Sequence, residues 1–121
     1  MKNLIYELEQ EVVLCGDKYK LEFDNKAFAR AELLTGKGVF ALAENLMEGN
    51  NLTLEQNIEL FCCALMKHHS DREIEKVKEL LTEKPILLTQ NLVLLMSAFI
   101  RPIFVPDDGK RCKKKVAQKK K

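Results

Sequence analysis

The longest apolar stretch of the sequence runs from Ile86 to Ile100, interrupted only by Thr89, Gln90, Asn91 and Ser97. It falls short of the roughly 20 residues that a membrane-spanning helix needs. Pro85 suits the first turn of a helix, where its missing N–H is not required, and Pro102 predicts an end, because an interior proline removes a backbone hydrogen bond. The spacing therefore predicts one helix over 86–100. Leu87, Leu88, Leu92, Val93, Leu94, Leu95, Met96 and Phe99 make it apolar nearly all round. In a chain of 121 residues such a helix is either central to the core or lies partly in an interface with a partner.

Ahead of that helix the period of the apolar residues changes once. Residues 12–23 read as two β-rich runs around Gly16-Asp17, a pair suited to a type II′ turn because glycine takes a positive φ without steric cost. Tyr19, Leu21 and Phe23 alternate with Lys18, Lys20 and Glu22, which predicts a hairpin with one apolar face, extended by residues 3–8. From Asp24 the spacing turns helical. Asp24 or Asn25 caps a helix whose apolar positions include Ala27, Phe28, Ala31 and Leu34, and Gly36 stops it. Gly38 opens a second short helix, about 39–48, closed by Gly49. Thr53-Leu-Glu-Gln56 and Ser70-Asp-Arg-Glu73 are capping-box patterns for two more helices. Leu54, Ile58, Phe61, Leu65 and Met66 fall on one face of the first, and Ile74, Val77, Leu80 and Leu81 follow the second signature. The expected class is α+β, mostly α: an N-terminal β-hairpin followed by four to five helices and a disordered basic C-terminal tail.

Charge divides the chain. Residues 107–121 carry eight basic side chains against Asp107 and Asp108, whereas the preceding 106 residues hold 12 basic and 16 acidic ones. The near-neutral total of +2 thus hides a mildly acidic body and a basic tail. One domain over 1–106 and a disordered lysine-rich tail over 107–121 are expected. The tail could bind a nucleic-acid backbone, keep the chain soluble or hook an acidic partner. No aromatic residue interleaves its lysines, so it offers no stacking platform for single strands. Glu7, Glu9 and Glu11 stand where the apolar part of a secretory signal would lie. Cys15, Cys62, Cys63 and Cys112 suggest no exported disulfide scaffold, so reduced thiols in a cytoplasm are expected.

None of the reactive residues falls into a catalytic spacing. Chelation from one helix wants ligands four apart. Cys62 and His68 are six apart and Cys62 and His69 seven, about 10 Å of helix rise. Cys62 and Cys63 are expected in the core, and His68 and His69 near a helix C-terminus, where the dipole favours a partly charged imidazole. Ser70 is explained as a cap and Ser97 is embedded in the apolar helix; neither sits in a Gly-x-Ser-x-Gly elbow. Glu55 with Glu59, and Glu73 with Glu75, read as solvated faces. Thr35-Gly-Lys-Gly38 lacks the phosphate-loop spacing and follows a helix, not a strand. No enzyme activity, metal or cofactor is expected.

Residues 19–42, YKLEFDNKAFARAELLTGKGVFAL, form a strand of the pattern Y-x-L-x-F leading into a helix bearing A-x-x-E-x-x-T-G-x-G, then a further small helix. This arrangement resembles the tail assembly chaperones of long-tailed bacteriophages, particularly the type related to gene transfer agents and to prophages of Gram-positive bacteria, over about residues 10–66. The resemblance implies a non-enzymatic factor in the cytoplasm of a bacterial host. Such factors coat the aggregation-prone tape measure protein and recruit tail tube subunits as the tail grows. It also implies two translated forms, the longer made by frameshifting, with this chain as the short one. Helix 86–100 then becomes the expected surface for client or for self-association, with Leu88, Leu92, Leu95 and Phe99 as its contact residues. The alternative is that these four residues are the core of the monomer. A small nucleic-acid-associated regulator using the lysine-rich tail is the competing functional class, and no membrane partner is expected.

Overall fold

The computed structural model describes residues 10–104. The expected hairpin extension over 3–8, the tail over 107–121 and Cys112 lie outside the described residues. The elements, in order, are strands β1 (Gln10–Leu14) and β2 (Asp17–Leu21), then helices α1 (Asn25–Thr35), α2 (Val39–Met47), α3 (Leu54–Leu65), α4 (Asp71–Glu83), α5 (Pro85–Gln90) and α6 (Leu92–Phe104). The class is α+β and mostly α, as the periodicity predicts.

β1 and β2 pair antiparallel, with Val12 opposite Tyr19 and Leu14 opposite Asp17. Val12, Leu14, Tyr19 and Leu21 are buried, so the alternation does place one face inward. The turn, however, is Cys15-Gly16 and not Gly16-Asp17. Cys15 and Gly16 both have positive φ, 49° and 88°, the mark of a type I′ turn. Either register would keep the apolar residues on one face. The choice is made at the other edge of β2, where the observed register turns the N–H groups of Lys20 and Glu22 away from β1. The Lys20 N–H donates to Nε2 of His69 at 2.9 Å, and the Glu22 N–H donates to the Ala64 carbonyl at 2.9 Å.

Local punctuation accounts for α1, α3 and α4. Asp24 accepts from the Ala27 N–H at 2.9 Å to start α1, and Gly36, at φ 73°, ends it in the left-handed conformation that a Cβ disfavours. Both capping boxes form: Thr53 with Gln56 ahead of α3, and Ser70 with Glu73 ahead of α4. Between α2 and α3 the chain is held by amides. The buried Asn57 accepts from Asn50 at 2.9 Å and donates to the Thr53 carbonyl at 3.0 Å, so its polar atoms are satisfied.

Two expectations about the last apolar stretch are corrected. It is not one helix over 86–100 but two, α5 and α6, separated at Asn91. There the Asn91 side-chain amide donates to the Leu87 carbonyl at 2.9 Å, while the Asn91 backbone carbonyl accepts from the Leu95 N–H at 3.1 Å and starts the next helix. Nor does Pro102 end α6, which runs on through Phe104. Proline in the last turn leaves only the Ala98 carbonyl without its helical donor, and Ile103, packed against the core, offsets that loss.

The centre of the described fold is α3, not α6. Asn57, Ile58 and the six residues from Leu60 to Leu65 are all buried in it, and α1, α4, α6 and β2 pack around it. Leu54 and Met66, expected on its inner face, lie at its two ends and are exposed. α6 closes the molecule against β1, α2, α3 and α5. Phe23, Phe28 and Phe99 seal this junction as a three-ring cluster: Phe23 and Phe28 stack at 5.3 Å, and Phe99 meets both edge-on at 4.9 and 5.1 Å.

Candidate interaction surface

Of the four residues expected to contact a partner, Leu95 and Phe99 are fully buried, Leu88 nearly so, and Leu92 half-buried. Three of them thus fill the protein's own core, the role that the sequence left open as their alternative. The helical period sets this division. Leu95, Ala98 and Phe99 recur at the i, i+3, i+4 spacing and face α3 and the phenylalanine cluster.

The opposite face of α6 carries a second apolar row, spaced by three and four residues: Val93, Met96, Ile100 and Phe104. Val93 is 77% exposed and Phe104 47% exposed, whereas Met96 and Ile100, between them, are half-buried. The row is therefore most exposed at its two ends, over about 16 Å of helix rise. Ile86, on α5, adds a further exposed apolar side chain at 59%. Sequence reasoning missed this row because every side chain of α6 from Leu92 to Met96 is apolar. Only the placement of Leu95 and Phe99 against α3 and the hairpin tells the outer face from the inner.

A second concavity of about 300 Å³ opens beside α3, between α1 and α4. Leu34, Met66 and Ile74 supply apolar lining, and Arg30 and the Glu59–Lys78 ion pair, at 3.2 Å, lie along it. Cys62 and Cys63 also line it. Burial, reinforced by the Glu59 carboxylate, pushes their thiols up to about 12 and about 11, so both stay protonated at neutral pH and are poor nucleophiles.

The two histidines are engaged elsewhere, at the α3–α4 corner. His69 accepts from the Lys20 N–H through Nε2, and its Nδ1 lies 3.0 Å from the Glu73 carboxylate. This arrangement assigns the proton to Nδ1. Nε2 of His68 and Nζ of Lys67 each lie 2.9 Å from an oxygen of the Glu22 carboxylate. Burial pushes the Glu22 carboxyl up, but hydrogen bonds from Lys67 and His68 outweigh it and hold the group below the ordinary carboxylate range. The corner fastens the hairpin to the helices. Among the described residues no group of three or more histidine, cysteine or acidic side chains is placed to hold a metal ion. Nor is any described helix long and apolar enough to cross a membrane. No family model, curated protein or solved structure matches this chain.

Proposed function

We propose that the chain is a non-catalytic assembly chaperone of the kind that long-tailed bacteriophages and prophages make, binding the helical tape measure protein and bringing tail tube subunits to it in the bacterial cytoplasm. The observation that carries this reading is the double-faced α6: one apolar row is spent on the core and a second, from Val93 to Phe104, remains on the surface. A chaperone of aggregation-prone helices needs such a surface, because an amphipathic client helix buries its apolar stripe against a complementary one. The Tyr19–Leu42 pattern supports the same reading, since the strand, the Asp24-capped helix, the Gly36 stop and the short helix after it occur in that order.

The test is co-expression of the tagged full chain with the long helical protein encoded beside its gene. The expected result is that the client stays soluble and elutes with the chain. A client that precipitates regardless, or a chain that elutes with nucleic acid and releases it steeply with salt, would overturn the proposal.

A further inference from the structure

The outer row of α6 has a charge setting of its own. From Lys84 to Pro106 the sequence contains no acidic residue, Arg101 stands in the last turn of α6, and residues 107–121 carry eight basic side chains against Asp107 and Asp108. An apolar row about three turns long thus precedes, beyond Asp107 and Asp108, a segment whose net charge is positive. From this conjunction we infer that the row is a docking site for an amphipathic α-helix that carries acidic residues beside its apolar stripe. The inference rests on the chaperone reading and specifies the client's chemistry.

Shape and charge select this occupant over two others. The exposed apolar residues form one narrow row along α6 and not a broad face, which matches the stripe of a single helix better than a flat lipid surface. A second copy of the chain docked through the same row would bring another acid-free α5–α6 segment, leaving Arg101 without a carboxylate from that segment. An acidic helix supplies both the apolar ridge and the opposite charge, and the latter sets partner choice and encounter rate.

The experiment uses the full chain and two labelled synthetic peptides with the same leucine stripe, one flanked by glutamates and the other by lysines. In anisotropy titrations the acidic peptide should bind about tenfold or more tightly than the basic one, with the difference shrinking at high salt. The double variant Val93→Ser, Phe104→Ser alters only exposed positions and should fold. It should lose binding of the acidic peptide, and Arg101→Glu should narrow the preference between the peptides. Equal binding of both peptides would overturn the inference. So would a dimer in light scattering, or co-sedimentation with phosphatidylglycerol vesicles, that the double variant abolishes. Failure here is separable from failure of the chaperone reading. If the natural client co-elutes as well with the double variant as with the parent, the site falls and the function stands. If the acidic peptide binds but the natural client does not, the function falls and the site stands.

Discussion

Cys15 occupies the first central position of the hairpin turn at φ 49°, where an L side chain other than asparagine or aspartate is disfavoured. Replacing it with asparagine creates the Asn-Gly pair that type I′ turns prefer. Cys15→Asn should therefore raise unfolding stability by about 0.5–1 kcal/mol in urea titrations. Glu22 makes a prediction of a different kind. Its folded carboxyl lies below the ordinary value of 4.5, so its contribution is present above that pH and is lost as the pH falls through the folded value. Glu22→Gln should be less stable than the parent at neutral pH, and the two should converge on acidification, as measured by chemical unfolding across a pH series. At this scale the caps were legible in the sequence, because Thr53 with Gln56 and Ser70 with Glu73 find their partners within one turn. The hairpin register was not. It depends on His69, whose bond to Lys20 spans 49 residues of sequence and has no local signature.

α6 shows why an element can be found without its role being readable. Its existence follows from apolarity alone, but in a helix with no polar face the inward side is chosen by what packs against it. Here that is the pair Phe23 and Phe28, which receive Phe99 edge-on. Phe99→Ala should cost about 3–5 kcal/mol of stability, through lost burial and the cavity left among the rings. Val93→Ala, on the other face of the same helix, should change stability by less than about 0.5 kcal/mol. Equilibrium unfolding of the two variants checks the assignment, and similar losses from both would contradict it. The break at Asn91 escaped the sequence for a related reason. Asparagine is tolerated inside helices, and its place at the end of α5 is marked by its backbone N–H turning to the Leu88 carbonyl while its side-chain amide takes the Leu87 carbonyl.

Across the whole molecule, the fold was legible where capping residues and the Gly36 stop punctuate the chain, less so at Gly16 and Pro102, and the candidate surface was not, because surface and core draw on the same apolar residue types. The hairpin at one end of the described chain and α6 at the other meet across α3. That arrangement has a consequence for synthesis. β1 and the ring of Phe23 are made early, yet their cover, α6 with Phe99, is made late. The growing chain must therefore carry Val12, Leu14 and Phe23 incompletely sheltered until α6 is made, and closure of the described core waits on that helix. A nascent chain of this design is itself, for a time, a molecule with an apolar surface in need of a partner.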